Sequence, residues 1–369
     1  MPSATPTRSY VALAYADEVL EQPALLETAV RSFSANDDLT LVVYAQASGD
    51  GPDPRLEALA RAAGLDAPEA PDVLLLSGEV ALPDGVDWVL SARDRADVPV
   101  PVLEFSDRGL DDIRAVLRSF RCNVCGAVSL IPEEGFARET ISCTTCGSTP
   151  RFRAIVHAVS VGLFGQTLEL PLFPELPQVS AAGLSDWDGY ARTLERCFTY
   201  ENTYLHRPPF LDITDPHRSR TGTLDLLIAS EVFEHVAPPV SRAFDGACRM
   251  LAPGGLFVLT VPYRTEGETV EHFPRLGTHT VTELAGERVL VNRAADGAYE
   301  AYGGLRFHGG DGATLEMRIF ALPDILAALD AAGFVDVRVL DTRCAHFGVD
   351  MGGPGGWPII AYAPEKDGA

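Results

Sequence analysis

From Tyr10 to about Phe120, short apolar runs alternate with amphipathic ones. YVALAYA, LTLVVYA, DVLLLSG, DWVLSA and PVLEF are brief and almost continuously apolar, the pattern of parallel strands buried on both faces. PALLETAVRSF, PRLEALARAAGL and DDIRAVLRSF space their apolar residues at helical intervals. The alternation predicts βαβα units and hence a doubly wound α/β sheet. Loops such as ASGDGPDP and EAPD carry turn residues, but no phosphate-cradling glycine fingerprint follows the first strand.

The pattern resumes after an amphipathic helix expected from about Arg151 to Phe164. QVSAAGLSD, WDGYARTLERCF and TYENTYLH predict strand, helix and strand. PFLDITD follows, then the strand LDLLIASEVFEHV, the helix PVSRAFDGACRML and the apolar strand in APGGLFVLTVPY. Near the end, ALPDILAALDAAGF predicts a helix that stops at Gly333, followed by strands in VDVRVLD and WPIIAYAPE. Between Tyr263 and Ala321 the connection is long, with EHFPRL, a hairpin around RVLVNRAADGAYEAY, and GGLRFHGGDGATLEMR. Insertions of this kind cover substrates. Gly303, Gly304, Gly309, Gly310 and Gly312 suit a lid that closes over the acceptor.

Between these halves, from about Arg121 to Pro150, stand Cys122-x2-Cys125 and Cys143-x2-Cys146. That spacing matches a closed, all-thiolate tetrahedral zinc site, and Gly126 and Gly147, each just after a second cysteine, can supply the left-handed residue of a tight knuckle. Four sulfur ligands leave no position for a catalytic water, so the expectation is structural Zn2+. Recognition of nucleic acid or protein by this ribbon, through Arg151 and Arg153, is the alternative. Cys197, Cys248 and Cys344 are scattered and read as ordinary thiols.

Composition narrows the partners. A formal net charge of −23 opposes phosphate backbones and anionic lipid, so neither nucleic acid nor membrane is expected as a partner. No window approaches the roughly 20 apolar residues of a membrane span, and the start MPSATPTRSY lacks a signal-peptide pattern. A cytoplasmic location is expected, and the oligomeric state is left open. The 369 residues divide into an α/β domain over 1–120, a zinc ribbon over 121–150 and a second α/β domain over 151–369, the last ending in an antiparallel strand.

The second domain carries a resemblance. Asp225 opening a strand, EVFEHV at its carboxyl end, and a helix ending in MLAPGG before LFVLTVP resemble class I S-adenosylmethionine-dependent methyltransferases. The resemblance implies S-adenosylmethionine as cofactor. The family's glycine-rich turn is replaced by Ser180-Ala181-Ala182-Gly183-Leu184-Ser185-Asp186. Gly183 would allow close backbone approach, Ser185 or Asp186 would cap the next helix, and that helix start would hold the methionine carboxylate. Asn202, or Glu201 beside it, would face the ribose, Asp212 would accept from the adenine amino group, and Ser230 and Glu231 would complete the cofactor contacts. His235, His272 and His308 are the candidate catalytic bases. Glu231-x2-Glu234-His235 also resembles the cluster that some metal-dependent O-methyltransferases use for Mg2+, although hard Mg2+ prefers oxygen donors.

The first domain weakly resembles the nucleotide-sugar-binding half of two-domain glycosyltransferases, and a degenerate scaffold or docking role is the plainer expectation. Together these readings predict methyl transfer to a small-molecule or sugar-containing acceptor, at oxygen. The alternatives are a non-catalytic cofactor-binding or zinc-ribbon docking protein, and an RNA methyltransferase.

Overall fold

The computed structural model describes the chain apart from residues 1–7, 47–53, 84, 94, 96–97, 106–111, 285, 309–313 and 366–369. It divides into two compact units, one of residues 1–153 with 343–352, the other of residues 154–342 with 353–369.

The first unit is built on β1 (Tyr10–Tyr15), β2 (Leu39–Gln46), β3 (Asp72–Gly78), β4 (Trp88–Ser91) and β5 (Val102–Glu104). They form one parallel sheet in the order β3-β2-β1-β4-β5. The most apolar run lies centrally, as a strand buried on both faces must. Ala12 and Ala14 join a core with Leu25, Leu41, Trp88 and Leu90, whereas Val11, Leu13 and Tyr15 join a second core with Val42 and Val89. Helices α1 (Ala16–Glu21), α2 (Ala24–Ser32) and α3 (Pro54–Ala62) supply cover. Leu25, Leu26 and Ala29 are the buried stripe of α2.

One helix expectation fails here. In DDIRAVLRSF only Ile113–Val116 makes a single 3-10 turn, and Leu117–Arg121 is strand β6, paired antiparallel with β7 (Val128–Pro132). Leu117 and Phe120 are buried while Arg118, Ser119 and Arg121 are exposed, and the hairpin pairing overrides the weak helical spacing. The first Cys-x2-Cys pair follows at the hairpin tip. Thr144 of the second pair donates to Asp87, whose other oxygen accepts from the Val11 N–H, at 2.7 and 2.8 Å. Residues 121–150 thus cluster with the N-terminal sheet.

Helix α4 (Pro150–Phe164) leads to the second unit. Its main sheet uses β8 (Leu176–Leu184), β9 (Phe198–Thr203), β10 (Leu224–Ser230), β11 (Leu251–Thr260), β20 (Val335–Val339) and β21 (Ile359–Tyr362), in the order β20-β21-β11-β10-β8-β9. β21 runs antiparallel to both neighbours. After β8 the chain places β9 on one side and, later, β10 on the other, so the topological switch point lies between β8 and β10. Ligands of open α/β sheets bind there, at the carboxyl ends of the strands.

Helices α5 (Asp188–Cys197), α6 (Ser241–Met250) and α7 (Leu322–Ala331) pack on this sheet. Phe233, Phe244, Phe257 and Phe334 tie α6 and α7 to the strands in one core, with Phe257 and Phe334 stacked 5.2 Å apart. The expected 263–321 insertion forms β12 (Tyr263–Arg264), β13 (Val270–Glu271), β14 (Thr278–Leu284), β15 (Glu287–Arg293), β16 (Tyr299–Tyr302), β17 (Phe307–His308), β18 (Thr314–Leu315) and β19 (Arg318–Ala321). The hairpin around RVLVNRAADGAYEAY is present as β15 and β16, and β14 extends it to three strands. Of the lid glycines, Gly303 and Gly304 border β16, and Gly309, Gly310 and Gly312 lie outside the described residues. No described helix is long and apolar enough to cross a membrane.

Candidate functional site

The four cysteines converge. Cys122 and Cys146 sulfurs are 3.7 Å apart, as are those of Cys125 and Cys143. Four thiolates about 2.3 Å from a tetrahedral zinc ion stand about 3.8 Å from one another, so the spacing already suits the ion. Each knuckle closes as expected, with the Gly126 N–H donating to Cys122 O and the Gly147 N–H to Cys143 O, both at 2.7 Å. The two glycines hold φ of 82° and 76°, where a Cβ would be strained.

Arg153 and Arg151 do not form a recognition surface. Arg153 is fully buried and donates to Ser148 O, Ser148 Oγ, Ser142 Oγ and Gly348 O, with its guanidinium over the Phe120 ring. Burial lowers its pKa to about 10, against the opposing pull of the neighbouring cysteines, so it stays charged at neutral pH. Arg151 pairs with Glu139 at 2.8 Å. The sequence offered no sign of this internal role, because an arginine beside a zinc ribbon reads equally well as a surface charge.

At the switch point two non-glycine residues hold left-handed backbone, Ser185 after β8 with φ 58° and Glu231 after β10 with φ 54°. Such strain persists where surrounding contacts over-determine it, commonly at functional sites. For Ser185 the contacts are plain. Its N–H donates to Thr203 O at 2.8 Å, and Asn202 clamps the next residue, accepting from Asp186 N–H and donating to Asp186 O at 2.9 Å each. The Glu231 N–H donates to Thr260 O, and the Thr260 hydroxyl donates to Ser230 Oγ at 3.1 Å.

Several expected contacts are placed differently. Neither Ser185 nor Asp186 caps α5; Trp187 holds the cap position, without a side-chain hydrogen bond. Asp186 instead turns inward, 5% exposed, and accepts from the Tyr200 hydroxyl at 2.6 Å. Burial, reinforced by the Asp186 charge, pushes the Tyr200 hydroxyl far up in pKa, so it remains a donor. A Cβ on Gly183 would lie 2.1 Å from Asp186 Oδ2 and from Tyr200 Oη. Gly183 therefore makes room for this pair. Asn202 spends both ends of its amide on the turn. Glu201 pairs with Arg220, and Asp212 is exposed, its Oδ1 accepting from the Thr214 N–H and hydroxyl at 2.8 and 2.7 Å in a local turn.

The three candidate histidines come from separate stretches and meet. His272 Nε2 lies 2.8 Å from Glu316 Oε1 and His308 Nε2 2.9 Å from Glu316 Oε2. His235 sits edge-on to His308 with ring centres 5.3 Å apart, and its Nδ1 lies 3.0 Å from Leu315 O. Burial lowers the His235 pKa from its ordinary value. Glu316, 7% exposed, escaped the sequence reading. Nothing in LEMRIF marks it, since the pairing of β17 with β18 brings it to His308 and the His272 N–H bond to Met317 O, beside the β13–β19 pairing, brings it to His272. Glu231 lies outside the group of possible metal ligands that Glu234, His235 and His308 form. A separate open groove of about 700 Å3, lined by Arg242, Asp245 and Arg249, lies towards the amino ends of β10 and β11.

Solved structures similar to the chain include the 1,6-didemethyltoxoflavin-N1-methyltransferase of Burkholderia thailandensis, 14% identical over 57% of this chain and 79% of that one, with a TM-score of 0.32. The amino pentose methyltransferase CalS10 of Micromonospora echinaspora is 15% identical over 59% and 92%, with a TM-score of 0.31. A S-adenosylmethionine-dependent methyltransferase of Mesorhizobium loti is 16% identical over 52% and 94%, with a TM-score of 0.29. No curated protein matches the chain by sequence. Residues 210–259, from the turn bearing Asp212 through β10, SEVFEHV and α6 to β11, match the family model described as a methyltransferase domain, and with that match stands the enzyme class read from the sequence, a S-adenosylmethionine-dependent methyltransferase.

Proposed function

We propose that the second unit methylates a hydroxyl of a small, polar, sugar-like acceptor, that the 263–321 insertion holds this acceptor, and that the first unit carries a structural Zn2+ on Cys122, Cys125, Cys143 and Cys146. The observation that carries the reading is that His272 and His308 share the Glu316 carboxylate and that His308 meets His235, five residues beyond the carboxyl end of β10. A neutral hydroxyl attacks a methyl sulfonium well only if its proton leaves as the bond forms. His272, a quarter exposed, is suited to take it. With Glu316 accepting from its Nε2–H, its Nδ1 keeps the lone pair, and the imidazolium formed would be stabilised by the same carboxylate.

The residues present meet the cofactor unevenly. Ser230 and Glu231 at the end of β10, with Asp212 in the turn before it, would meet the nucleoside, with Asp212 Oδ2 the proposed acceptor from an adenine amino group. On the β8 side the Asp186–Tyr200 pair occupies the space over Gly183, so the amino-acid tail would be met by the exposed Ser185 and the start of α5. The bound cofactor supplies the electrophilic methyl group; the chain supplies alignment and the base.

The test is isothermal titration with S-adenosylhomocysteine, followed by methylation of a panel of glycosides and other small alcohols with labelled cofactor. His272→Ala should leave cofactor affinity intact and lower kcat about 100-fold, the lower range for loss of a general base. Unchanged kcat on an accepted substrate would remove His272 from this role, and methylation confined to amines would remove the oxygen acceptor.

A further inference from the structure

We propose that Glu234, His235 and His308 form a second metal site, taking one divalent transition ion of the Zn2+ type, separate from the four-cysteine ribbon. One ligand atom from each of the three residues lies within 4.8 Å of the other two. The proton positions point to a cation. A carbonyl can only accept, so the contact between His235 Nδ1 and Leu315 O, at 3.0 Å, places the hydrogen on Nδ1. Nε2 of the neutral ring then carries the lone pair, and it faces Glu234 Oε1 at 3.7 Å. A nitrogen lone pair and a carboxyl group 1% exposed, held at that separation, are reconciled by a metal ion or by a proton between them, and the third ligand atom, from His308, favours the metal. A metal ion about 2.1 Å from each ligand holds such atoms up to about 4.2 Å apart.

His308 repeats the arrangement. Glu316 Oε2 accepts from its Nε2–H at 2.9 Å, which leaves Nδ1 as the donor to a metal. Metal-bound imidazoles characteristically give their other N–H to a carbonyl or carboxylate, which fixes ring orientation and raises ligand basicity. Here Leu315 O serves His235 and Glu316 serves His308. The frame is rigid on the Glu234 side. The Met317 N–H donates to Glu234 O at 2.8 Å, and the buried Arg318 donates to Phe233 O at 2.7 Å and to Glu271 at 2.7 Å. His308, 40% exposed, can close the remaining distance by side-chain rotation.

Two imidazoles and one carboxylate suit a borderline ion such as Zn2+ or Fe2+ and not hard Mg2+, which prefers oxygen. Three protein ligands leave coordination positions for water or for a hydroxyl of the acceptor. The proposal stands without the methyl-transfer reading, since metal content is measured without turnover.

The experiment is titration of metal-stripped, reduced full-length protein with Co2+, followed by visible absorption. Thiolate-to-cobalt charge transfer reports the ribbon, whereas a His/carboxylate site gives ligand-field bands without it. The expected result is about two equivalents bound, of which the second lacks charge transfer and is lost in both His308→Ala and Glu234→Gln. Because His308 is partly exposed, His308→Ala should fold, and circular dichroism with retained thiolate bands checks that it does. One equivalent in the wild type, all of it thiolate-bound, would overturn the site and leave a proton shared by Glu234 and His235. A second equivalent that survives both substitutions would overturn the ligand assignment.

Discussion

Gly183 and Arg153 show how little a residue's type reveals about its duty. Small residues after the first strand of a doubly wound unit invite a cofactor reading, yet Gly183 is glycine because Asp186 and Tyr200 need its missing Cβ. Tyr200→Phe would leave the buried Asp186 Oδ2 without this donor and should destabilise the second unit by about 1–3 kcal/mol, read by urea denaturation; an unchanged midpoint would show that the pair is not structural. Asp212→Ala belongs to the same scale. It should weaken S-adenosylhomocysteine binding about tenfold, since a charge-assisted hydrogen bond is lost, and equal affinity by calorimetry would dismiss the adenine contact. Asp212 and the three histidines could be nominated from the sequence by residue type and by the motifs around them. Glu316 was not, because a single acidic residue in an insertion has no signature until the chain folds back on itself.

At the scale of elements, the strands were the clearest feature. The apolar runs at Tyr10, Leu39, Asp72 and Trp88 all became strands, because burial on both faces demands continuous hydrophobicity whatever the partner. DDIRAVLRSF became a turn and a hairpin strand because β7 offered a ladder that its own spacing could not foretell. The ribbon hairpin carries its own prediction. Chelation of zinc from the reduced protein should expose four thiols to a sulfhydryl reagent and open residues 117–150 to proteolysis. If the four cysteines react equally fast with and without chelator, no thiolate-bound metal is holding them. Arg153→Met should also loosen this element, by about 1–3 kcal/mol for each buried acceptor around the knuckles that it leaves without a donor.

Charge acts at the scale of the molecule. The net charge of −23 should keep the protein from RNA even at low salt, and filter retention that falls as salt rises would favour the RNA methyltransferase alternative. Acid should unfold the first unit through Glu18. Burial alone would raise this carboxyl, but the Ser91 hydroxyl, the Arg95 guanidinium and the Ala92 N–H together hold it below its usual value. A folded pKa below the unfolded one means that the contribution is fully present above the unfolded pKa, near 4.3, and is lost as pH falls through the lower folded value. Glu18→Gln should therefore destabilise the protein at pH 7 and flatten its acid transition. An acid profile parallel to the wild type would assign the effect to other carboxylates.

Local chemistry was enough to determine that this chain has two α/β sheets, a pair of cysteine knuckles that falls between them in sequence and a methyltransferase segment around SEVFEHV. Strand hydrophobicity, knuckle glycines and ligand spacing are each constrained within a few residues, so they can be read without the fold. What the tertiary structure decided are the contacts between residues far apart in sequence. It turned Asp186 inward onto Tyr200, buried Arg153 under residue 348, drew His272 and His308 to the Glu316 carboxylate and set His235 beside His308. Those pairings depend on which strand ends meet in space, and hydrophobic periodicity sets the face of an element but not the identity of the residue opposite.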